Sequence, residues 1–106
     1  MDEQLLKTNE MPWQKLSDFP GDVMGKVLRQ EPSRGAKTLL IQLKPGAEIV
    51  PHSHIGVVQH LVLSGSYDTK EQTFEEGTYR ILPAHAEISP ISTKAGAIIL
   101  MTYDPV

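Results

Sequence analysis

All four histidines of this chain lie between His52 and His85, and three of them fall between His52 and His60. Imidazole nitrogens ligate transition metals and carry protons near neutral pH, so a cluster of this density is the first place to expect chemistry. His52 and His54 are separated by one residue. In an extended strand, side chains two apart project from one face, about 6 to 7 Å apart along the chain, so both rings can meet one ion. The same pair also fits two exposed histidines near a strand end, because an HxH is a short motif that arises often by chance. The chain has no cysteine, which removes thiolate metal sites, cysteine nucleophiles and disulfide frameworks together. Any metal is confined to nitrogen and oxygen ligands.

The elements that must position these histidines are short strands. The chain has 106 residues, one domain's worth, and its 8 glycines and 8 prolines leave little room for long helices. Val23 to Leu28, Thr38 to Leu43, Val57 to Leu63, Thr78 to Leu82 and Ala97 to Tyr103 are runs rich in Val, Ile, Leu, Thr and Tyr. Turns are expected at Pro32-Ser33-Arg34-Gly35, Pro45-Gly46, Ser64-Gly65-Ser66, Glu75-Glu76-Gly77, Pro83-Ala84 and Lys94-Ala95-Gly96. Strands at this spacing predict an all-β sandwich or barrel. Residues 1–12 read as a polar N-terminal arm with at most one helical turn, and 13–106 as a single barrel domain. Trp13, the only tryptophan, is expected to anchor that arm. Ten basic residues against 13 acidic ones, without a lysine or arginine cluster, exclude nucleic acid and an anionic membrane as expected partners. Apolar runs such as Ala95 to Met101 are too short to span a bilayer and Met1-Asp2-Glu3-Gln4 does not begin a signal peptide, so a cytoplasmic location is expected.

The surroundings of the histidines resemble a known pattern. Gly46, five residues, His52-Ser53-His54, ten residues and Gly65 fit the first half of the cupin signature, GX5HXHX3EX6G, except at the glutamate. Gly77, five residues and Pro83 match the start of the second half, GX5PXGX2H. The chain thus resembles the cupin superfamily, which implies a double-stranded β-helix, or jelly-roll barrel, typically with a metal between the two motifs. Trp13, Pro20-Gly21, Lys26-Val27-Leu28, Leu39-Leu40, His52 to Gly56 and Val62-Leu63-Ser64-Gly65 resemble the RmlC-like branch holding the ChrR-type zinc sensor domain and the dihydroxyacetophenone and acetylacetone dioxygenases. Gly56 followed by Val58 is similar to the dioxygenase side, where a third histidine replaces the glutamate.

Carried over residue by residue, the ligand set is incomplete. His52 and His54 fall on the first two ligands, but the glutamate position is Val58 and the histidine position of the second motif is Ile88. His85 stands where the family has glycine, and Glu87 lies one residue short of the ligand position. Catalytic zinc or non-heme iron generally takes at least three protein ligands. If Val58 keeps the inward orientation of the missing glutamate, period two sends His60 and Val62 inward too and Gln59 outward. His60 is then either a third metal ligand or a hydrogen-bonded pocket residue. Val58, Val62 and Ile88 are expected to line the pocket. Gln59 and His85 are further polar candidates, the former needing a register shift and the latter a rearranged loop. One of Tyr79 and Arg80 faces the pocket, and parity alone leaves open which. No catalytic residue is assigned. The resemblance implies an iron dioxygenase acting on a small oxygenated substrate, or a non-catalytic barrel binding a small molecule or zinc, or a barrel that binds no metal. Iron, zinc, nickel or manganese would suit nitrogen and oxygen ligands, and no organic cofactor is expected. A homodimer is expected from the need to cover strand edges, with residues 1–13 available to supply a strand.

Overall fold

The computed structural model describes residues 2–17, 19–20, 22–50, 56–86 and 89–105. These form a 3-10 turn at Thr8–Glu10 and the strands β1 (Gln14–Lys15), β2 (Val23–Glu31), β3 (Ala36–Leu43), β4 (Glu48–Ile49), β5 (Val57–Asp68), β6 (Thr73–Glu75), β7 (Tyr79–Leu82), β8 (Ile91–Ser92) and β9 (Ala97–Asp104). The described pairings are all antiparallel and make one curled sheet, running β1-β2-β3-β9-β5 and then β8-β4, with β6 and β7 also bound to β5. Among the described residues no helix is long and apolar enough to cross a membrane.

Alternation in the sequence dictates the curl. On β9, Ala97, Ile99 and Met101 are buried while Ile98, Leu100 and Thr102 are half-buried on the other face. They meet Leu43, Ile41 and Leu39 of β3 in register, and Ile99 and Met101 meet Val62 and His60 of β5. With Val23, Tyr67, Phe74 and Ile91 these residues make one continuous core. Burying each such side chain contributes about 1.5–3 kcal/mol, which is why a one-residue slip in any of these strands is disfavoured.

The five long runs predicted from sequence are the five longest strands of the fold. Two features differ from expectation. Ser64-Gly65-Ser66 is no chain reversal: β5 continues through it to Asp68, with a register shift between Val62 and Ser64 against β9. Gly65 is required there for another reason, since it takes a φ of 73° and a Cβ at this position would strike the Gly96 carbonyl. The strands β1, β4, β6 and β8, with two or three residues each, were not anticipated.

The arm lies against the barrel at Lys26. This buried lysine donates from Nζ to the Thr8 carbonyl at 2.6 Å and sits 4.4 Å from the Trp13 ring centroid. A desolvated ammonium over an indole contributes up to about 2 kcal/mol, enough to hold a short polar segment on the sheet.

Candidate functional site

β5 forms one wall of the interior. Val58, His60 and Val62 point inward and are 1%, 3% and 1% exposed. Gln59 lies on the outer face, where its amide donates to Asp104 Oδ2 at 3.2 Å and its carbonyl oxygen accepts from the Tyr79 hydroxyl at 2.9 Å. The register pairs His60 with Arg80 on β7 and with Met101 on β9. Arg80 therefore faces the interior, and Tyr79 faces out, 53% exposed.

Three polar side chains meet on the inner wall. His60 Nδ1 lies 3.0 Å from the Tyr67 hydroxyl, which also accepts from Arg80 Nη1 at 3.1 Å. The Tyr67 ring is fully buried, set edge-on to His60 at 5.9 Å and tilted over Phe74 at 5.2 Å. The Arg80 guanidinium stacks 4.1 Å from the Phe74 ring centroid. Tyr67 and Phe74 oppose one another across the β5–β6 hairpin, and the Arg80 guanidinium lies beside this pair.

A guanidinium only donates, so the Tyr67 oxygen accepts from Arg80. His60 Nδ1 is the other partner of the Tyr67 hydroxyl among the described residues, and one proton lies between the two. Burial pushes the Tyr67 phenol above its ordinary pKa, against the lowering effect of the Arg80 hydrogen bond and charge. The phenol is thus protonated at neutral pH.

The other candidates are placed as follows. His52, His54 and Ile88 lie outside the described residues, as does Glu87. β4 ends at Ile49, before the first of these, with Glu48 and Val50 exposed. His85 is exposed with a φ of 63°, a left-handed backbone at the position where the cupin pattern has glycine. Among the described residues no three His, Asp or Glu side chains gather to hold a metal.

Sequence reasoning missed Tyr67 and Phe74. Both lie beyond the predicted end of the strand at Leu63, and the register shift between Val62 and Ser64 reverses the parity that would otherwise turn Ser66, not Tyr67, inward. The aromatic pair flanking a polar turn at 69–72 was the available signal.

The architecture is shared with solved structures. The acetylacetone dioxygenase from Acinetobacter johnsonii superposes with a TM-score of 0.85 at 15% identity, covering 98% of this chain and 75% of that one. An RmlC-like cupin protein from Ralstonia eutropha gives 0.84 at 24% identity, covering 99% and 70%. The complex of Rhodobacter sphaeroides SigE with the anti-sigma ChrR gives 0.75 at 23% identity, covering 92% of this chain and 52% of that one. At these identities the likeness is one of fold, and it defines the class as a cupin jelly roll. The pattern of the ChrR cupin-like domain matches residues 1–106, and the chain belongs to that family. No curated protein matches the sequence.

Proposed function

We propose that this chain is a small-molecule-binding cupin whose barrel interior receives an oxygenated ligand at His60, Tyr67 and Arg80. The observation that carries this reading is the hydrogen-bonded chain from Arg80 through Tyr67 to His60 on a wall otherwise built of Val58, Val62 and Met101. Polar groups in an apolar barrel cost stability even when partnered, and aliphatic side chains would fill the same space without that cost. Their presence is accounted for by a ligand. A small metabolite-sized molecule is the partner in this reading, in the cytoplasm, with no part for nucleic acid or membrane.

A divalent metal belongs to this reading only through His52 and His54. Iron, zinc, nickel or manganese held there would supply Lewis acidity to the ligand's oxygens, with His60 as a hydrogen-bonding neighbour. Metal analysis of protein purified without a histidine tag tests this. Metal content is expected to fall in His52→Ala and His54→Ala and to stay unchanged in His60→Ala. Stoichiometric iron that is lost in His60→Ala would replace this reading with a three-histidine dioxygenase.

The reading includes a homodimer. Leu63, Tyr79 and Ile81 share the outer face of β5 and β7 and are 42%, 53% and 61% exposed. A second copy presenting the same patch would cover them.

A further inference from the structure

Arg80 is a cation on the inner side of the barrel that has no counter-ion among the described residues. The ion pairs among the described residues join Arg29 to Glu31 and Asp104 and Arg34 to Glu31, and none includes Arg80. Its acceptor among the described residues is the neutral Tyr67 hydroxyl, and its flat face is stacked on Phe74. The described acids on the neighbouring segments, Asp68, Glu75, Glu76 and Asp104, are turned elsewhere: Asp68 accepts from Thr73, Glu75 and Glu76 are exposed, and Asp104 takes Gln59 and Arg29 on the outer face.

A guanidinium presents five N–H donors in a rigid planar fork, of which one here goes to Tyr67. Stacking on Phe74 fixes the plane of the fork, and the Tyr67 hydrogen bond fixes its rotation. A cation held this firmly has little freedom to reorient toward water, so the remaining donors are organised in advance for a planar acceptor. Carboxylates fit such a fork with two parallel hydrogen bonds. Around it the wall is apolar and aromatic, with Phe74, Val62 and Met101 buried. We infer that Arg80 is the anchor for the carboxylate of a small organic acid whose apolar or aromatic body lies against the barrel wall. The inference rests on the reading of the interior as a ligand site and narrows it to anions. Tyr67 is a positioning residue in this arrangement, orienting Arg80, and His60 in turn is hydrogen-bonded to the Tyr67 hydroxyl.

Paired probes test it. Benzoate and its neutral isostere benzamide, and acetate with acetamide, are titrated into the full chain labelled with 15N. Each carboxylate is expected to bind at least about tenfold more tightly than its amide, as expected for a hydrogen bond to a charged group, and to shift the Arg80 side-chain Nε–H resonance. Arg80→Gln should bring the two members of each pair together. Arg80→Lys, which keeps the charge without the fork, should retain a folded spectrum and lose most of the preference. If amides and carboxylates bind alike and neither variant changes this, the anion inference is overturned while the ligand site stands. If no probe of either kind binds, both are overturned.

Discussion

The two faces of β5 and β7 invert the usual arrangement of a solvated sheet. Inward, at positions where apolar side chains are expected, the strands place His60 and Arg80 beside Tyr67. Outward, where polar side chains are expected, they place Leu63, Tyr79 and Ile81 in solvent. On β3 and β9 the buried inner face is apolar, with Leu39, Ile41, Ile99 and Met101, and the other face mixes Thr38, Gln42 and Thr102 with Leu40, Ile98 and Leu100. Both pairs of strands build the core, β5 through Val62 and Tyr67, but only β5 and β7 set charged and polar side chains into it. Polar groups inside are retained where they bind something, and apolar groups outside where they are covered by something.

The inner face gives the largest expected effects. Tyr67→Ala removes a fully buried ring from between His60 and Phe74 and should cost about 3–5 kcal/mol, measured by urea unfolding. Tyr67→Phe keeps the ring and removes only the hydroxyl, leaving His60 Nδ1 and Arg80 Nη1 without their partner, at about 1–3 kcal/mol. The whole chain replaced together, His60→Leu with Tyr67→Phe and Arg80→Met, should cost less than Tyr67→Phe alone, because no polar group is then stranded. A triple variant less stable than the single one would mean that the polar chain supports the barrel itself, and the contrast between the two faces would lose its functional meaning.

How much of this was legible in the sequence depended on strand length and on fixed reference points. The long strands could be read because each repeats its apolar side chains several times with period two. β1, β4, β6 and β8 could not, since two or three residues establish no period. The inward direction of His60 followed from its parity with Val58 on one uninterrupted run. Arg80 and Tyr79 stayed undecided because no residue of their strand had a known face, and the register against β5 supplied it. Tyr67 was hidden by Gly65, whose composition signals a turn while its role is close approach to the Gly96 carbonyl within a continuing strand.

On the outer face, the expected outcome is a homodimer in light scattering that Ile81→Glu combined with Leu63→Glu converts to a monomer. Two carboxylates placed in a desolvated isologous contact appear four times in the dimer, so the weakening should exceed about a hundredfold. The monomeric variant should differ from the parent barrel by within about 0.5 kcal/mol, because these side chains contribute little to the core. A monomeric parent chain would break this half of the comparison, leaving the exposed apolar residues without a partner.

The smallest effect concerns the Tyr67 proton. The folded environment raises its pKa, through burial and against the pull of Arg80. The folded state therefore holds the proton more tightly than the unfolded chain does, and the stability this supplies is fully present below the unfolded value near 10. It is lost as pH rises from there through the folded value, because the unfolded chain's phenol ionises in water while burial holds the folded one neutral. The urea midpoint should thus be flat from neutral pH to about 9 and fall above about 10. Tyr67→Phe starts from a lower midpoint at pH 7, yet should fall less steeply across the alkaline range. Parallel declines in the two proteins would mean that the phenol is not sequestered in the folded barrel, and the inner face would then be as solvated as the outer one.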